Sequence, residues 1–125
     1  MVINQPKNKL QALIIDDEAD ICYLLKSILN QKDFDTSYAN TLSEGEKYLM
    51  QNNPVVIFLD NHLPDGFGID SIRHFKKDYP SCKIVMLTAH DTNTDREKAY
   101  HEGVDFFIGK PFTRDIINKT IEKII

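Results

Sequence analysis

With 125 residues, the chain is sized for one domain built around one hydrophobic core. Its 42% apolar and 27% charged residues sit near the globular average and exclude a disordered chain. The net charge of −4, with no basic stripe, excludes the footprint of a protein that grips a phosphate backbone, so no direct nucleic-acid partner is expected.

Residues 1–9 contain no apolar signal region ending in small residues, so a flexible leading segment, a folded domain over 10–125 and a cytoplasmic location are expected. The first apolar run, Ala12-Leu13-Ile14-Ile15, reads as a buried strand. Ile21, Leu24, Leu25, Ile28 and Leu29 then fall on one face of a helix. The run 34–39 is more polar; Asp35, Thr36 and Ser37 suit an edge strand with one wet side. Thr41, with Glu44 three residues on, makes a capping box for a helix over 42–52. Val55-Val56-Ile57-Phe58-Leu59 is a third strand and the longest apolar run, far too short to span a membrane.

Pro64-Asp65-Gly66 marks a turn, and a third helix carrying Ile69, Ile72 and Phe75 follows Gly68. A fourth strand covers Ile84-Val85-Met86-Leu87. The segment 92–102 is a polar helix, apolar only at Ala99 and Tyr100, and is expected to pack loosely until Gly103 stops it. A fifth strand covers 104–108, and Thr113 caps a last helix bearing Ile116, Ile117, Ile121, Ile124 and Ile125. Cys22 and Cys82 lack metal-ligand or redox spacing and read as packing thiols.

Five strands alternating with five helices predict an α/β fold, a five-stranded parallel sheet with helices on both faces, and the polar second strand fits the edge position of the order 2-1-3-4-5. Such sheets bind ligands at the carboxyl ends of their strands. Those ends carry Asp16-Asp17-Glu18, Asp60, Thr88 and Lys110. Clustered carboxylates form an oxygen-only site suited to Mg²⁺, which accepts one or two carboxylates and keeps several waters. Asp60 fits a nucleophile toward phosphorus, with Mg²⁺ on Asp16 and Asp17, the Lys110 ammonium and the Thr88 hydroxyl each taking one phosphoryl oxygen. Taken singly, Asp16 or Asp17 reads as a helix cap, Asp60 as a turn former, Thr88 as a strand-end hydroxyl and Lys110 as a solvated charge. One site explains all of them together.

The motifs Ile14-Ile15-Asp16-Asp17-Glu18, Phe58-Leu59-Asp60-Asn61-His62-Leu63-Pro64-Asp65-Gly66, Met86-Leu87-Thr88-Ala89 and Lys110-Pro111-Phe112 occur in that order. Asp17, Asp60, Thr88 and Lys110 follow one another at 43, 28 and 22 positions. From Lys9 to Ile125 the chain resembles the receiver domains of two-component response regulators, a flavodoxin-like fold. The resemblance implies that Asp60 accepts a phosphoryl group from a sensor histidine kinase or phosphotransfer protein. It implies Mg²⁺ on Asp16, Asp17, Asp60 and the backbone carbonyl of His62, with Lys110 and Thr88 at the phosphoryl group. Phe107 stands where the family keeps an aromatic that turns inward on activation, and Lys110-Pro111 resembles the family's cis peptide.

His62 and His90, two residues beyond Asp60 and Thr88, stand where family side chains tune phosphoryl hydrolysis. Output is expected through the face made by the fourth helix, fifth strand and fifth helix, toward an output domain, a partner protein or a second copy in a homodimer. The resemblance implies no enzyme with a separate substrate; the domain promotes phosphorylation of its own Asp and its hydrolysis. A haloacid-dehalogenase-like phosphatase wants Asp where His62 stands. A flavin-binding flavodoxin wants a Ser/Thr/Gly-rich phosphate loop where Asp16 and Asp17 stand.

Overall fold

Residues 9–125 are described in the computed structural model; the expected flexible segment 1–9 lies outside them apart from Lys9. Five strands form the main sheet: β1 (Gln11–Ile15), β2 (Asp35–Ala39), β3 (Val56–Asp60), β4 (Lys83–Thr88) and β5 (Phe106–Gly109). All pair in parallel, in the spatial order 2-1-3-4-5. Five helices link and follow them: α1 (Ala19–Asn30), α2 (Leu42–Leu49), α3 (Ile72–Asp78), α4 (Asn93–Glu102) and α5 (Arg114–Ile124).

The near-continuous apolar strands are explained by two separate cores. Alternate residues point to opposite faces of a strand. Leu13, Ile15, Ile57, Leu59, Ile84 and Met86 meet Leu49, Ile72, Phe75 and Ala99 from α2, α3 and α4. Ala12, Ile14, Val56, Phe58, Val85 and Leu87 meet Leu25, Ile28, Ile117 and Ile121 from α1 and α5. A sheet covered on both sides has no wet face at its centre, and the polar β2 sits at the edge as its composition requires.

The helices show where a periodic pattern overreaches. Leu24 is 39% exposed while Cys22 is buried, because the stripe of α1 facing the sheet runs through Cys22, Leu25, Ile28 and Leu29. Ile116 on α5 and Ile125 just beyond it face outward, and the inner position goes to Thr120, whose hydroxyl donates to the Ile116 carbonyl. Helix α2 stops at Leu49, short of residue 52. Thr113 caps α5 and Thr92 caps α4 through their hydroxyls, and Gly103 ends α4 in the left-handed region at φ 111°. Helix α4 buries Ala99 alone. Between β3 and α3 the chain adds a feature the sequence did not signal, a two-residue-a-side antiparallel hairpin (His62–Leu63 with Gly66–Phe67) followed by one 3₁₀ turn.

Candidate functional site

Asp16 directly follows β1, and its backbone N–H donates to the Ala39 carbonyl, extending the β1–β2 ladder by one bond. Its side chain is only 1% exposed, and Oδ1 accepts from the Glu18 backbone N–H at 2.9 Å, which shapes the turn into α1. Asp17, the next residue, faces solvent. Asp60 closes β3 at 4% exposure, paired in register with Leu87. Carboxylate oxygens of Asp16, Asp17 and Asp60 lie within 4.8 Å of one another, one from each residue.

The Lys110 ammonium enters this cluster from the loop after β5. It lies 2.9 Å from Asp16 Oδ2, 3.4 Å from Asp60 Oδ1 and 3.3 Å from Glu18 Oε1. The Lys110 backbone N–H donates to the Thr88 carbonyl at 2.8 Å, and the Lys110–Pro111 peptide is cis. Thr88 is buried at the end of β4, where its hydroxyl accepts from the His90 backbone N–H at 3.1 Å. The hydroxyl proton remains available to an acceptor.

Burial dominates the electrostatics of the two inner carboxylates. It pushes the Asp16 carboxyl above its ordinary value, against the Glu18 N–H and Lys110, which stabilise the charge. Asp60 is also raised, first by burial and then by repulsion from Asp16, with Lys110 opposing. For Lys110 burial disfavours the ammonium, but Asp16, Asp60 and Glu18 outweigh it and hold its pKa above the ordinary lysine value. An oxygen-only set with more negative than positive charge is the donor chemistry that a hard divalent cation fits.

Phe107 is 7% exposed and packs in the core beside Met86, Ala99 and Val104, with its ring turned inward. The rings of His62 and His90 face each other at 4.6 Å between centroids, both exposed, with Phe67 edge-on to His62. His74 lies on the surface between Asp78 and Glu46, and His101 is exposed on α4. Both thiols are buried. Burial raises Cys22 to about 11 and Cys82 to about 12, so both stay protonated near neutral pH, as packing groups do.

Three contributors escaped the residue-by-residue reading. Glu18 was visible only as part of an acidic triplet, yet it touches Lys110. Asn61 fixes the loop beyond Asp60, its side-chain oxygen accepting from Ile69 N–H and its carbonyl from Gly68 N–H. Gly68 passes so close that a Cβ there would lie 2.2 Å from the Asp60 carbonyl oxygen. No sequence periodicity reports such contacts, although a lone Gly beside a site motif is the usual trace of a close backbone approach.

The family model for the response regulator receiver domain matches residues 12–122, nearly the whole chain. The chain belongs to that family. This receiver domain is 34% identical over 108 residues to the transcriptional regulatory protein SrrA of Staphylococcus aureus, covering 86% of this chain and 44% of SrrA. It therefore spans less than half the length of that relative. A two-component response regulator from Clostridium difficile superposes with a TM-score of 0.88 at 27% identity, over 93% of this chain and 95% of that one. The beryllofluoride-activated NtrC4 receiver domain dimer superposes at 0.86 with 32% identity, over 90% and 93% of the two chains. Among the described residues, no helix is long and apolar enough to cross a membrane.

Proposed function

We propose that this receiver domain takes a phosphoryl group onto Asp60 from a phosphohistidine of a sensor kinase or phosphotransfer protein, and that it does so in the cytoplasm. The observation that carries the reading is the Asp60 carboxylate at a buried strand end, grouped with Asp16 and Asp17 and 3.4 Å from the Lys110 ammonium. A carboxylate oxygen of Asp60 attacks phosphorus, the phosphorus–nitrogen bond of the donor breaks, and the electron pair stays on the departing imidazole, which gains a proton. Lys110 neutralises one phosphoryl oxygen as charge develops, and the Thr88 hydroxyl donates to another. Water attacking the same phosphorus later breaks its bond to the Asp60 oxygen, which leaves as the carboxylate, and the phosphoryl group departs as inorganic phosphate.

Asp16, Asp17, Asp60 and the His62 backbone carbonyl would hold Mg²⁺. That ion supplies the positive charge that lets carboxylates and a phosphoryl group share the site. His62 and His90, two residues beyond Asp60 and Thr88 and with their exposed rings 4.6 Å apart, would tune access of the hydrolytic water. The proposed chemistry is on the domain's own residue and needs no separate turnover substrate. Output would run through the face of α4, β5 and α5, with Phe107 as the responsive aromatic, toward an output domain, a partner protein or a second copy. A solved dimer of a beryllofluoride-activated relative supports the last of these.

Acetyl phosphate with Mg²⁺, followed by intact-mass measurement, tests the assignment. One phosphoryl increment is expected on the wild type and none on Asp60→Asn; an equal increment on both sinks it.

A further inference from the structure

Arg96, in the first turn of α4, makes three contacts that tie separate parts of the switch region together. Its guanidinium lies over the Phe107 ring, 4.8 Å from the centroid. Nη1 donates to the Phe107 backbone carbonyl at 3.4 Å, and Nη2 donates to Asp91 Oδ1 at 2.6 Å. Asp91, three residues beyond Thr88, places its other oxygen where a Cβ on Gly109 would lie only 2.6 Å away. Gly109 is in turn the register partner of Thr88 in the β4–β5 ladder. The guanidinium thus joins α4, the loop that leaves Thr88 and the strand that leads to Lys110.

We propose that Arg96 is a positioning residue, a latch that holds Phe107 buried and the Thr88 loop in place, so that the site is preorganised for a phosphoryl group. The proposal rests on the assignment of Asp60 as phosphoacceptor for its consequence, though not for the latch itself. The physical case is the combination. Arg96 and Asp91 are each about 40% exposed, so their ion pair alone would be screened. A cation above an aromatic face adds attraction that depends on the ring being there, and the bond to the Phe107 carbonyl fixes the planar group against that ring. Helix α4 buries only Ala99, so little else holds its first turn against β5. A ligand that prefers the latched arrangement binds less tightly when part of the population leaves it.

Two measurements on Arg96→Ala decide the matter. In the phosphoryl-free protein labelled with fluorophenylalanine, the Phe107 resonance, assigned through Phe107→Leu, should acquire the solvent isotope shift of an exposed ring. This readout stands whether or not Asp60 is the acceptor, and an unchanged resonance overturns the latch. In the second, beryllofluoride is titrated with Mg²⁺ present: Arg96→Ala should bind it about fivefold more weakly, the low end of ordinary coupling, with Mg²⁺ affinity alone unchanged. In a Phe107→Leu background, which keeps an apolar core but removes the π face, Arg96→Ala should have little further effect. Equal or tighter beryllofluoride binding by Arg96→Ala, or the same loss in the Phe107→Leu background, overturns the proposal. Beryllofluoride binding that survives Asp60→Asn would count against the phosphoacceptor assignment and leave the resonance test to judge the latch.

Discussion

At Gly68 the backbone has no room for a side chain: a Cβ would lie 2.2 Å from the Asp60 carbonyl oxygen and 2.9 Å from Leu59 Cγ. The nearest obstacle is backbone, and it belongs to the proposed phosphoacceptor. Gly68→Ala is therefore expected to destabilise the fold by about 1–3 kcal/mol, the usual range for overpacking. It should also slow phosphoryl uptake, because relief of the clash moves the residue that carries the nucleophile. Urea unfolding together with the rate of mass increment from acetyl phosphate measures both; wild-type behaviour in the two assays would refute the account. Asp16, Asp60, Thr88 and Lys110 were legible at this scale because each is a polar residue at the end of an apolar run. Glu18, Asn61 and Gly68 contribute through contacts with other segments, which no local pattern encodes.

Helix α2 shows how an element can take its end from elsewhere in the chain. Its own N-cap works as the sequence predicts, with the Thr41 hydroxyl accepting from the Glu44 N–H. The Glu44 carboxylate accepts from Asn40 N–H, one residue before the cap. The two free N–H groups of Leu42 and Ser43 donate to the Asp65 carboxylate, from the turn of the short hairpin, at 2.9 and 3.0 Å. These two bonds hold the Asp65 carboxyl below the ordinary carboxylate value. A carboxylate with a depressed folded pKa stabilises the protein above its unfolded pKa of about 3.9, and the contribution fades as pH falls through the lower folded value. Asp65→Ala should thus be less stable than wild type at pH 7, with the gap narrowing as acidity increases below about pH 4. Urea melts over that range check it, and a gap independent of pH would rule out the carboxylate as its source.

Across the whole molecule, the converging strand ends concentrate negative charge in a buried place. The raised pKa values of Asp16 and Asp60 have the opposite sign from that of Asp65. A carboxyl whose folded pKa exceeds its unfolded value favours folding when protonated, so its contribution to stability falls as pH rises from about 3.9 through the folded value. At neutral pH the metal-free site therefore carries a penalty. Asp60→Asn, which removes one buried charge and its repulsion with Asp16, should raise the metal-free melting temperature by a few degrees. Mg²⁺ should raise it in wild type by mass action, more than in the variant. Thermal melts with Mg²⁺ and with chelator test both, and a metal-free variant that melts below wild type would contradict this electrostatic reading.

The sequence by itself determined the α/β architecture and a polar strand suited to the sheet edge, because apolar strands interrupted by amphipathic helices leave few ways to cover a sheet on both faces. It also identified the carboxyl-end residues, since strand ends are set by the same runs that define the strands. Only the tertiary structure decided which stripe of α1 and α5 faces inward, where Leu24 and Ile116 give way to Cys22 and Thr120. Only it placed Glu18 on Lys110, Asp65 on α2 and Arg96 over Phe107. The difference is physical: periodicity is a property of one segment in its own helix or strand. Charge pairing, capping from a distance and the closeness of a backbone exist only once segments far apart in the chain have been brought together by the packing of the sheet.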